Sequence, residues 1–137
     1  MEVVVKDCGA GRFEIRSRDA VVAVDLLPGD GGASDGFRSA ELLLAALGAC
    51  TAGTMRSFAV NQAMEGFEGI DIVVNGETAK GPERVSRIDV DIQVRGNLSE
   101  SDLERLMRVG ARCKVHNTLH SDPEVNIRLV SPTPVSD

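Results

Sequence analysis

Residues 42–55 contain no charge and no proline, and Leu, Ala and Met dominate the run. Helix propensity and apolarity agree along it, and a helix that is apolar on every face has to be covered on every face. At 1.5 Å per residue the run spans roughly 21 Å, short of the ~30 Å hydrocarbon layer, and Glu41 and Arg56 bracket it. These features predict the central helix of a soluble core over residues 39–64, with Ser39 as N-cap and Glu41 complementing the dipole in the first turn. Gly48, Ala49, Ala52 and Gly53 surround Cys50 with small side chains. Glycine costs about 1 kcal/mol relative to alanine inside a helix, so another part of the protein is expected to approach this backbone closely.

The remaining elements are arranged around that helix. Residues 3–6, 12–17 and 20–25 read as three strands of an antiparallel meander occupying 1–25, with a glycine-containing hairpin connection over 7–11. Pro28, Gly29, Gly31, Gly32 and Gly36 make 26–38 a glycine-rich loop, long enough to cover a site. Beyond the helix, 70–74 reads as a strand, and 87–95 alternates Ile88, Val90, Ile92 and Val94 with Arg87, Asp89, Asp91, Gln93 and Arg95. That alternation predicts a strand with one buried face, joined to its neighbour by a hairpin over 76–82. Ser99 and Ser101, each followed by an acid three residues on, open a second helix. Its expected inner face is Leu103, Leu106, Met107 and Gly110, its outer face Glu104, Arg105 and Arg108, and Cys113 falls in or just beyond its last turn. Val125, Ile127 and Leu129 predict a closing strand, and 131–137 a loose tail with Pro132 and Pro134. The order β-β-β-α-β-β-α-β, with residues 69–130 supplying the ββαβ portion, is a single α+β domain whose central helix lies on a mostly antiparallel sheet. One sheet covers one side of such a helix. A second subunit is the economical cover for the other.

Composition narrows the function. The net charge of -6 repels nucleic acid and anionic membranes, and with no Trp, no Tyr and four Phe the chain is poorly supplied with stacking platforms for bases or sugars. Twelve of the fifteen basic residues are Arg, the side chain suited to pairing with acidic groups at buried or interfacial positions. The N-terminus shows no basic segment followed by a long apolar one, so a cytoplasmic location is expected, where Cys8, Cys50 and Cys113 rest as thiols.

Cys50 and Cys113 stand 63 residues apart, one inside the central helix and one at the end of the amphipathic helix. As a redox couple, one thiolate would be oxidised to a sulfenic acid and the other would convert it to a disulfide. As core cysteines, both would be inert. Reactivity requires a depressed pKa, and Cys50 lies beyond the first turn where the helix dipole acts, so an arginine has to supply it, with Arg38 the first candidate. Cys113, His116 and His120 share a helical face at i, i+3 and i+7 and with Cys50 could form a Cys2His2 metal site, although no C-x-x-C accompanies them. Cys8, in a turn, reads as a spare thiol. No phosphate loop or dinucleotide fingerprint is present, and no cofactor is expected.

The segment SAELLLAALGACTAGTM, followed some sixty residues later by ARCKVHNTL, resembles the two cysteine motifs of the OsmC/Ohr family of thiol-dependent peroxide reductases. The order of elements fits along nearly the whole chain. The resemblance implies the OsmC-like fold and an intertwined homodimer in which two central helices pack together. It further implies a peroxidatic Cys50, a resolving Cys113, organic hydroperoxides as substrates and a cellular dithiol, lipoyl in some branches, as reductant. Its alternative is a non-enzymatic OsmC-like protein that binds a small ligand, with structural cysteines. The peroxidase branches carry a glutamate ten residues before the first cysteine, where this chain has Ala40; Glu41 resembles the glutamate of other OsmC-like branches and points about 100° away on a helix. Arg12, Arg16 and Arg18 stand beside Arg38 as candidates for the activating arginine, and Lys114 replaces the proline that follows the second cysteine.

Overall fold

The computed structural model describes residues 1–25 and 35–130. The expected loop at 26–38 therefore lies mostly outside the described residues, as does the tail at 131–137. Strands β1 (Val4–Asp7), β2 (Arg12–Ser17) and β3 (Ala20–Asp25) form the antiparallel meander in the order β1-β2-β3. Where the described chain resumes, Phe37 runs beside β3: its carbonyl accepts from the Asp25 N–H and its N–H donates to the Ala23 carbonyl, both at 3.0 Å. Arg12 ties this return together, reaching Asp35 at 2.7 Å and Asp25 at 3.4 Å. The Arg12–Asp35 hydrogen bond, followed by the charges of Asp25 and Asp35, raises the guanidinium pKa, and the same bond lowers that of Asp35.

Helix α1 (Ser39–Asn61) ends three residues before the expected boundary, and its cap is Arg38 rather than Ser39. The reason is local: Glu41, at the third helical position, accepts the Arg38 backbone N–H at 2.7 Å, which fixes the entry of the chain one residue earlier. Leu47, Gly48, Thr51, Met55 and Ala59 form a buried stripe at i, i+4 spacing. Leu43, Ala45, Ala46, Ala49, Gly53 and Val60, on other sides of the helix, are exposed. Within one chain, α1 is thus covered along a stripe and not all round. By length and composition it could span a bilayer, and its buried stripe packs on strands and helices of this same chain.

The hairpin of β4 (Phe67–Ala79) and β5 (Arg84–Gly96) is antiparallel and longer than the sequence pattern suggested, its connection falling at 80–83 instead of 76–82. Gly76 sits within β4 because Leu44 of α1 lies over it: a Cβ there would meet both Leu44 methyls at 3.2 Å. The hairpin turns Ile70, Ile72, Val74, Ile88, Val90 and Ile92 inward and the charged residues of β5 outward, and β4 carries most of its contact with α1. Helix α2 (Glu100–Gly110) begins as expected, with the Ser99 hydroxyl accepting the Asp102 N–H at 3.1 Å. Its inner face differs from expectation. Leu106 and Gly110 are buried, Leu103 and Met107 are exposed, and Arg105 folds over Phe58, 5.3 Å from the ring centroid, while bonding Asp102 and Gln62. Met55, Ala59, Met64 and Leu106 form the core between α1, α2 and the hairpin.

Two further features depart from the expected order. A short third helix, α3 (Lys114–Leu119), follows α2, and residues 122–130 form no strand. Ile127 is 94% exposed and Leu129 95%. A strand needs a neighbouring backbone, and no described strand of this chain pairs with the segment. The described order is β-β-β-α-β-β-α-α, with a three-stranded and a two-stranded sheet in place of one continuous sheet.

Candidate functional site: two thiols between the central helix and a short helix

Close packing draws the two cysteine-bearing elements together. A Cβ on Gly48 would meet Val74 of β4 at 3.0 Å, and one on Gly110 would meet the Met55 sulfur at 2.7 Å, so each glycine lets a neighbour seat on or against α1. This is the close approach expected around Cys50, although at Gly53 a Cβ would meet nothing within 4 Å. With α2 seated, the chain turns at Ala111 and Arg112 and starts α3 against α1.

Cys113 is the N-cap of α3, and its sulfur accepts the His116 backbone N–H at 3.3 Å. It is 1% exposed. The Thr51 hydroxyl lies 3.6 Å from the same sulfur, within the longer reach of sulfur hydrogen bonds. Burial is the largest single influence on the Cys113 pKa and pushes it up, but the His116 N–H, the Thr51 hydroxyl, the Cys50 thiol and the Val115 N–H together pull it below the ordinary thiol value. Cys50 is half-buried and a free thiol, as Cys113 is. The site therefore pairs a partly accessible sulfur with a buried one that is poised to ionise.

Of the residues expected from sequence, the structure brings Cys50 and Cys113 together and leaves Arg38 and Glu41 at the far end of α1. Twelve and nine residues at 1.5 Å each place them roughly 18 Å and 14 Å from Cys50 along the helix axis. The Arg38 guanidinium donates to the Asp25 carbonyl at 2.9 Å. Glu41 lines an open cavity of about 480 Å3 with Leu44, Ala45, Gly48, Ala49, Ala52, Ile72 and Val74. Of the other arginines considered, Arg12 is held by Asp25 and Asp35, and Arg16 pairs with Glu14. The His116 and His120 rings pack with centroids 4.4 Å apart, and among the described residues no three His, Cys, Asp or Glu side chains are arranged to hold a metal ion. Cys8 is exposed in its turn. Sequence reasoning passes over Thr51. Its signal is a hydroxyl in an uncharged helix, next to Cys50 and on the stripe of Leu47, Met55 and Ala59.

The sequence matches the family described as OsmC-like protein over residues 29–128. No curated protein matches it significantly. Among solved structures, an OsmC-like protein from Mycoplasma pneumoniae superposes with a TM-score of 0.77 at 20% identity, covering 88% of this chain and 87% of its own. An organic hydroperoxide resistance protein OsmC from Legionella pneumophila gives 0.59 at 18% identity, covering 89% and 91%. The organic hydroperoxide resistance protein OhrB of Bacillus subtilis gives 0.55 at 18%, covering 88% and 90%. At these identities the likeness is one of fold; the family match spans well over half of the sequence, and the chain belongs to the OsmC-like family of the OsmC/Ohr superfamily.

Proposed function

We propose that this protein is a thiol-dependent peroxidase that reduces organic hydroperoxides as a cytoplasmic homodimer. The observation that carries the reading is the hydrogen-bonded approach of the Cys50 and Cys113 thiols, both free, from segments 63 residues apart, one half-buried and one buried. Family membership and the hydroperoxide resistance proteins among its structural neighbours support it.

In the proposed cycle the Cys50 thiolate attacks the terminal oxygen of ROOH and the O–O bond breaks. The leaving alkoxide takes a proton as ROH, and Cys50 becomes a sulfenic acid. The Cys113 thiolate then attacks the Cys50 sulfur, the S–S bond forms, and hydroxide departs to be protonated as water. The two thiols thus supply the two electrons that reduce the peroxide, and a dithiol of the lipoyl class restores them. The accessible sulfur suits the first step, and the buried, readily ionised one suits the second. Arg38 and Glu41 lie too far along α1 to serve Cys50 of their own chain. In the proposed dimer a second, antiparallel α1, packed on the exposed side of the first, brings the partner's N-terminal turn toward the thiols.

One equivalent of cumene hydroperoxide added to the reduced protein is expected to form a Cys50–Cys113 disulfide within seconds, with Cys8 left free in the peptide map. Cys50→Ser abolishes turnover, and Cys113→Ser leaves a sulfenate that is trapped by dimedone. The cavity beside Glu41, with its apolar lining, supports a second reading, a non-enzymatic protein that binds a small apolar ligand. Survival of both thiols in excess peroxide would overturn the first reading in favour of the second.

A further inference from the structure

Two threonines on α1 use their hydroxyls differently. Thr54 makes the bond usual for a helical threonine, donating back to the Cys50 carbonyl at 2.8 Å. Thr51, 4% exposed, instead directs its hydroxyl out of its own helix to the Cys113 sulfur at 3.6 Å. A thiolate has no proton to give, so whenever Cys113 is ionised Thr51 is the donor. The same sulfur accepts the His116 N–H at 3.3 Å, so α1 and the first turn of α3 both hold it in place next to Cys50. Thr51 occupies the position immediately after Cys50, so one turn of α1 carries one thiol and holds the other.

From this geometry we propose that Thr51 is a positioning residue of the thiol pair: its hydroxyl holds the Cys113 sulfur, as thiolate, in line with Cys50 and so sets the rate of disulfide closure. The kinetic part rests on the peroxidase reading above, whereas the effect on Cys113 does not. Cys50 from α1 is the titratable side chain that bonds this sulfur, and the neighbouring cavity, lined by Thr51 and His116 but not by Cys113, is otherwise closed by the apolar Leu47, Ile88, Val90 and Ile92. The step itself consumes one sulfenic acid and one thiolate and releases one hydroxide. Thr51 exchanges no proton in it.

The test compares the full-length wild type with Thr51→Val and Thr51→Ser, and with Thr51→Ala should valine not be accommodated. Cys113 alkylation by iodoacetamide is followed against pH by peptide mapping, and closure is followed after one equivalent of cumene hydroperoxide. Without the hydroxyl the alkylation profile is expected to move up by about one pH unit, and closure to slow about tenfold while Cys50 sulfenate forms at its normal rate. Thr51→Ser restores both. If Thr51→Val or Thr51→Ala matches wild type in the alkylation profile, the proposal is wrong. If wild type forms no sulfenate while the alkylation profile still shifts, the peroxidase reading fails, and the hold of Thr51 on Cys113 stands.

Discussion

The sulfur of Cys113 has three jobs at one atom: it caps a helix, shares a hydrogen bond with the Thr51 hydroxyl and faces Cys50. Because its pKa is lowered from that of an unfolded thiol, the folded, reduced protein binds fewer protons there than the unfolded chain between the two values. Stability from this group is therefore complete above about pH 8.5 and is lost as pH falls through the folded value, at about 1.4 kcal/mol per unit of displacement. Urea midpoints of the reduced protein should climb with pH across that window more steeply than those of Cys113→Ala. The pairing of the cysteines could be anticipated from their two motifs. The role of Thr51 could not, because a hydroxyl inside a helix has a ready acceptor four residues back, and only the packing of α3 shows that this one looks elsewhere.

Among the elements, those with strong local signals follow the sequence closely. β2 and β3 match the expected spans, and Ser99 caps α2 as its spacing implied. Ser99→Ala should therefore cost about 1 kcal/mol, read as a lowered urea midpoint, with Cys50 and Cys113 reactivity unchanged. Elsewhere a competing contact decided the outcome. Glu41 moved the cap of α1 to Arg38, and Leu44 packing over Gly76 turned an expected hairpin residue into part of a strand. Arg105, assigned to the solvent side by its charge, lies on Phe58 because its guanidinium still finds Asp102 and Gln62 there. Alternation alone suggested a strand at 125–129. It could not supply the backbone that such a strand must pair with.

On the scale of the whole molecule, apolar side chains among the described residues lie open on one side of α1 and along the segment with Ile127 and Leu129. A Cβ at Gly53 meets no heavy atom within 4 Å, and in the proposed dimer that packs α1 on α1 a bulky charge there would fall inside the interface. Light scattering should give twice the mass of one chain for wild type and a single chain for Gly53→Arg, with the far-UV spectrum retained. Loss of helical signal in Gly53→Arg would instead show that the side chain disturbs the chain alone. The α+β class was readable because periodicity is local; the division into two sheets and the unpaired segment were not, since strand pairing joins segments far apart in the sequence. The cap on α3 has a last consequence. A disulfide sulfur is a weaker acceptor than a thiolate, so closing the Cys50–Cys113 bond from the ionised state weakens the tether on the His116 amide. Deuterium uptake at that one amide would then be a clock for the oxidation state, running slow in the reduced protein and fast in the oxidised one, without any added dye.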